Sequence, residues 1–228
     1  MLTTGHVFFT SGYIQDVKAL AELAHTQGAY IFIDDYQGTG QVPINVKEAG
    51  IDFLVSGGLK WLMGGPGIAF LYVREGLIER LKPTITGWFA AENQFDFDIH
   101  HFEFKHDAGR FELGTPALAP VYAASAGLSI VEEIGPQAIR ERTRWLTSDL
   151  IKRAHAHGWK LRSAEREEER SAIVMIEMDD PAAVVGRLAE QGIVVDSRPG
   201  ALRVAPYFYN TLAENQELVE AVAEALSR

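Results

Sequence analysis

Cysteine is absent from the 228 residues, which excludes disulfides, thiolate metal sites and a thiol nucleophile. No apolar run approaches the length of a membrane span. The opening MLTTGHVFFTSG lacks the basic start and long apolar core of a signal peptide, so a cytoplasmic protein with no membrane partner is expected. Positive charge is in deficit, with 21 Lys and Arg against 31 Asp and Glu and a net charge of −10. A nucleic-acid partner is therefore not expected, because nonspecific binding relies on a basic surface. The acidic run AEREEER at 164–170 reads as a solvated face. What is present is globular: 47% hydrophobic and 23% charged residues are ordinary for a folded soluble domain, or one domain plus a smaller one.

Strand-like and helix-like segments alternate through the first third. Apolar residues at helical spacing over 14–27 end at Gly28, AYIFI follows as a buried strand, and PINVKEAGIDFLVSG reads as a helical turn leading into another strand. GIAFLYV is a third strand, with a helix from about Glu75. Continuous apolar strands alternating with helices predict an α/β protein with a parallel or mixed sheet covered on both faces. Residues 84–113 are aromatic and polar without a period, and an irregular segment of that length is usually functional or an interface. Two helices follow, over 116–135 and from Pro136, then a small α+β region of strand, helix, two short strands and a final helix from about Leu212. The expected division is a partial large domain over 1–135 and a small C-terminal α+β domain over 136–228, with the long connecting helix. No βα units precede the first helix and strand, so the chain reads as the latter part of something longer.

Two strand ends carry polar groups that a buried strand does not need. In IFIDDYQGTGQ, Asp34 is the first residue past the apolar run, and Gln37 lies three residues on. Ligands of open α/β sheets bind beyond the carboxyl ends of the strands, although either acid would also suit a loop cap. In DFLVSGGLK, Lys60 follows a second apolar strand. Sheltered by Trp61 and apolar neighbours, such a lysine could act as an amine nucleophile of lowered pKa. A Schiff-base lysine with an aspartate for a pyridinium nitrogen is what pyridoxal phosphate chemistry requires. The GGPG at 64–67 lacks the spacing of a phosphate-loop fingerprint, and a turn accounts for it better than nucleotide binding. His100, His101 and His106 fall in the irregular segment without ligand spacing, so no metal site is expected.

The stretch FIDDYQGTGQVPINVKEAGIDFLVSGGLKWLMGGPGIAFLYV resembles the core of the class V aminotransferase family of fold-type I pyridoxal 5'-phosphate (PLP) enzymes. That family includes kynureninases, cysteine desulfurases and isopenicillin N epimerase-like proteins. The resemblance implies the fold-type I architecture, part of the large αβα sheet domain plus a small C-terminal α+β domain. It implies that Asp34 pairs with the pyridine nitrogen, Gln37 contacts the ring hydroxyl and Lys60 forms the Schiff base. His6, in GHVFFTSG, resembles the family's Ser-His-Val segment. RFELGTP resembles the Gly-Thr segment that reaches the cofactor phosphate across a dimer interface, which assigns Gly114 and Thr115 to that phosphate and implies a homodimer. TGWF resembles the kynureninase loop whose tryptophan, here Trp88, contacts the phosphate. In ALRVAPYFYNT, Arg203 resembles the arginine that clamps the substrate carboxylate, a role suited to a planar and permanently charged fork.

Two departures shape the expectation. Leu59 stands where the family commonly carries His or Tyr, and the cysteine of a desulfurase is missing. Both point away from desulfurase and kynureninase chemistry. The family's N-terminal region, with the aromatic that stacks on the cofactor and a phosphate-holding turn, has no counterpart before Met1. An aminotransferase acting on an amino acid is the activity implied. The alternatives are an epimerase or lyase of the same family, or a catalytically silent homologue that serves only as a dimerising scaffold.

Overall fold

A computed structural model describes residues 1–227. They form two compact units. The first comprises Met1–Thr4, Asp16–Tyr36 and Ile44–Leu128; the second comprises Gly5–Gln15, Gln37–Pro43 and the chain from Ser129 onward.

The first unit is built on a four-stranded sheet in the order β1 (Leu2–Gly5), β2 (Ile31–Asp34), β3 (Phe53–Gly57), β4 (Ala69–Val73). β2 and β3 run parallel, with Phe32 opposite Phe53 and Asp34 opposite Val55, and β4 returns antiparallel, with Gly57 opposite Ala69. The sheet is therefore mixed, as the alternation of elements predicts. β1 was not foreseen: its four residues, LTTG, carry one large apolar side chain and no readable period.

Helix α1 (Val17–Thr26) starts where the Asp16 carboxylate accepts from the Ala19 N–H at 3.0 Å, an N-cap that satisfies one orphan donor. It stops at Gly28, which takes φ +64°, as helix-ending glycines do. Its buried residues Val17, Ala21 and Ala24 join Ile31, Ile33, Ile51 and Leu54 in one core. Because alternate strand residues face opposite ways, Phe32 goes to the other side. There Phe53, Val73 and Leu77 form a second cluster with Phe111 and the short helix α2 (Glu75–Ile78). The helix expected from Glu75 is thus a single turn, and PINVKEAG ends in a turn that leads into β3, as read from the sequence.

Asp52 pins this unit from inside. It is fully buried, and accepts from the Ile31 N–H and pairs with His25 Nε2, each at 2.9 Å, and with Arg74 Nε at 2.7 Å. Burial alone would raise the Asp52 carboxyl, but His25, the Ile31 amide and Arg74 outweigh it and hold the pKa below the ordinary value.

Helix α3 (Leu118–Ile134) leads to the second unit, which contains α4 (Pro136–Ala156), β5 (Val174–Glu177), α5 (Pro181–Glu190), β6 (Asp196–Arg198), β7 (Ala201–Val204) and α6 (Leu212–Ser227). The three strands are antiparallel in the order β5-β7-β6. Leu150, Val174, Ile176, Leu188, Leu202 and Val222 lie at the centre of its core. Two short segments remote in sequence belong to this unit. A Cβ on Gly12 would lie 2.3 Å from the Ile173 carbonyl oxygen, so the backbone of 5–15 packs directly on the start of β5. From 37–43, Gln41 Oε1 accepts from the Ala172 N–H at 2.7 Å, and the Gly40 carbonyl accepts from the Tyr207 hydroxyl at 2.7 Å.

Candidate active site

Asp34 closes β2 and is exposed, and its Oδ1 accepts from the Tyr36 N–H at 2.9 Å. This two-residue return fixes the turn that leaves the sheet. Lys60 follows the parallel neighbour β3 by three residues, so both groups belong to the same edge of the sheet, beyond the carboxyl ends of the paired strands. The lysine is not sheltered as the sequence suggested. Trp61 is buried, but Lys60 and Leu59 point outward, Leu59 at 44% exposure.

Tyr36 stands between them in the chemistry of this edge. Its ring lies on Gly57, where an added Cβ would come within 2.0 Å of Tyr36 Cζ, and Lys60 Nζ sits 4.7 Å from the ring centroid. The loop carrying Lys60 is held from behind by small residues. A Cβ on Gly64 would lie 2.9 Å from Ala124 Cα, and one on Gly127 would lie 2.0 Å from the Leu62 carbonyl oxygen. The Gly64 N–H also donates to the Gly58 carbonyl at 2.7 Å. GGPG is therefore a turn packed on α3, as its spacing predicts.

The irregular segment has an internal order of its own. Arg110, buried in the short turn Ala108–Phe111, donates through Nε to the Lys105 carbonyl at 2.7 Å. Its Nη1 donates to the carbonyls of Ile78 at 2.7 Å and Leu81 at 3.1 Å. That anchor brings the Gly-Thr segment back to the Trp88 turn: a Cβ on Gly87 would overlap the Leu113 carbonyl, and one on Gly114 would lie 3.5 Å from Trp88 Nε1. Trp88 and Gly114 are thus neighbours, with Thr115 exposed beside them. Trp88 also borders an open cavity of about 470 Å³ shared with Phe97, Ile99, His101 and Phe102.

The remaining candidates lie in the second unit. His6 is buried, its carbonyl accepting from the Gln15 N–H at 2.9 Å. Gln37 is half-buried, and its carbonyl accepts from Gln41 Nε2 at 2.6 Å. Arg203, on β7, pairs through Nη2 with Asp196 Oδ2 at 2.7 Å, an oxygen that Arg198 Nη1 shares at the same distance. Burial pushes the Arg203 guanidinium below its ordinary pKa, Arg198 adds to the effect, and Asp196 opposes it.

Arg110, Gln41 and Tyr36 were missed as organising residues. Only Arg110 left a signal, as one of two cations, with Lys105, in an aromatic stretch.

Comparison with known proteins gives these positions a context. Residues 1–217 match the family model described as Aminotransferase class-V. An uncharacterized aminotransferase, YcbU, of Bacillus subtilis (strain 168) is 38% identical over 218 residues, covering 96% of this chain and 57% of that protein. A kynureninase of Bacillus anthracis is 31% identical over 216 residues, covering 91% of this chain and 50% of that one. The apo structure of a cysteine desulfurase from Thermococcus onnurineus NA1 superposes with a TM-score of 0.89 at 24% identity, over 99% of this chain and 59% of that chain. The two share the fold. The chain spans little more than half the length of these relatives. With residues 1–217 matched by the family model, the chain belongs to the class-V aminotransferase family.

Proposed function

We propose that this chain carries the reactive lysine of a PLP-dependent aminotransferase acting on the α-amino group of an amino acid. The observation that supports the reading is the parallel pairing of β2 with β3, which puts the Asp34 carboxylate and the Lys60 amine at one sheet edge. An exposed acid and an exposed primary amine are the donor set PLP needs, so the residues fit it. Asp34 would hold the pyridine nitrogen and Lys60 the aldehyde carbon. Gln37 would meet the ring hydroxyl. Trp88, Gly114 and Thr115 would serve the phosphate, and His6 the cofactor region more generally. Bound there, PLP supplies an electron sink for the pair left when the amino-acid Cα loses its proton.

The protein's own groups do the rest. Lys60 Nζ would take the proton from Cα and deliver it to the aldehyde carbon that it had held, a general acid–base role suited to a flexible amine. Asp34 keeps a proton on the nitrogen it faces, because a carboxylate favours the charged partner. Arg203 binds the substrate carboxylate through its guanidinium fork, fixing which Cα bond is presented. Leu59 has no polar atom to relay a proton, which favours transamination over desulfurase- or kynureninase-type chemistry. No helix among the described residues is long and apolar enough to cross a membrane, and we place the protein in the cytoplasm as a homodimer. Residues 1–135 would act as the cofactor domain and 136–228 as the small domain.

Turnover of the PLP-loaded chain tests this reading. An amino acid should yield its 2-oxo acid in amounts equal to the aminated cofactor formed. Racemised or β-eliminated product instead would assign the epimerase or lyase alternative, and no product would assign the silent scaffold.

A further inference from the structure

We infer that Tyr36 is a positioning residue for Lys60, its aromatic face holding the lysine ammonium at the strand edge and favouring its charged form. The inference rests on the reading of Lys60 as the reactive amine. Lys60 Nζ lies 4.7 Å from the Tyr36 ring centroid, inside the ~6 Å reach of a cation–π contact. The lysine is exposed, and contact with the ring restricts a side chain of high rotamer freedom.

The ring is itself fixed from two directions. Its backbone N–H donates to Asp34 Oδ1 at 2.9 Å. Its far edge lies on Gly57, where three side-chain atoms, the ring carbons Cζ and Cε2 and the hydroxyl oxygen, occupy the space within 2.2 Å of a would-be Cβ. Gly57 does not adopt positive φ, so glycine is needed there for room rather than for backbone freedom. The sequence has no polar side chain immediately before the lysine, because Leu59 occupies that position and points into solvent. Tyr36 provides a contact from the neighbouring strand end instead. One residue then organises both reactive groups, the aspartate through its amide and the lysine through its ring.

A ring that binds the ammonium raises the proton affinity of the amine. Removing it should leave more neutral amine at a given pH. The test is competitive acetylation of the cofactor-free 228-residue chain across a pH series, reading the Lys60 peptide against those of Lys18 and Lys47 by mass spectrometry. Asp34 and Asp35 are retained in every variant, so their influence cancels in the comparison. Tyr36→Leu should label Lys60 about threefold faster below its pKa, the scale of an exposed cation–π contact, with the reference lysines unchanged. Tyr36→Phe, which keeps the ring, should label like the unsubstituted chain. Gly57→Ala, which pushes the ring away without shortening it, should follow Tyr36→Leu.

Equal labelling of the Leu variant and the unsubstituted chain would overturn the inference, as would a Phe variant that follows Leu. If a variant fails to fold, the unsubstituted protein decides. After reductive ¹³C-methylation its Lys60 methyl resonance should be displaced upfield by the ring, and an undisplaced resonance would contradict the contact. Failure here is distinct from failure of the functional reading. A Lys60 that bonds PLP but ignores Tyr36 sinks only the inference, whereas a Lys60 that never bonds PLP sinks the reading whatever Tyr36 does.

Discussion

Asp34 lies opposite Val55 in the parallel pairing of β2 with β3, and Val55 precedes Lys60 by five residues on the same strand and turn. The register thus ties an acid and an amine, 26 positions apart in sequence, to one edge of one sheet. A one-residue slip would turn Asp34 toward the opposite face. That edge is the place where a doubly covered sheet receives ligands.

The acid at this edge has a separable role. Asp34→Ala should weaken PLP binding by about tenfold or more, the loss of one charge-assisted contact, while leaving Lys60 able to bond the aldehyde. An absorbance titration with PLP checks this. Equal affinity in the two proteins would remove Asp34 from the cofactor site.

Asp52 makes stability depend on acid. Its folded pKa lies below the ordinary carboxylate value of 3.8, so the folded state binds its proton less readily than the unfolded chain. The stabilisation is present above about pH 4 and is lost as pH falls through the lowered folded pKa. Asp52→Asn should flatten that acid limb in urea melts from pH 5 downward. It should also cost about 1–3 kcal/mol at neutral pH, because the ionic partners of a buried hydrogen-bonded carboxylate are left without it.

Gly12 should tolerate no side chain. It combines φ +73° with a Cβ position 2.3 Å from the Ile173 carbonyl oxygen, and backbone cannot swing aside as a side chain can. Gly12→Ala should destabilise the protein by about 2–4 kcal/mol, the left-handed penalty plus the clash, as measured by denaturant unfolding.

Arg203 should act on substrate and not on cofactor. Arg203→Lys keeps the charge but loses the fork. We expect KM for the amino acid to rise about tenfold with PLP affinity unchanged, which paired kinetics and titration would show.

The fold was legible where side-chain period and caps agree. The apolar period over 14–27, Gly28 at its end and the apolar run AYIFI each carried a local physical signal. What escaped was set by distant partners. Leu2–Gly5 becomes a strand only because β2 offers it an edge, and 37–43 joins the second unit through Gln41 and Tyr207, contacts with no sequence period. At the site, the types and order of Asp34 and Lys60 were readable from the strand ends. The exposure of Lys60 and the ring beneath it were not, because they depend on Gly57 lacking a side chain opposite Tyr36.

The most direct test of the central claim is to incubate the purified chain with PLP, reduce it with borohydride and map the modified peptide. The account predicts a visible absorption band and a single reduced adduct on Lys60. No band, or adducts scattered over surface lysines such as Lys18 and Lys47, would contradict it.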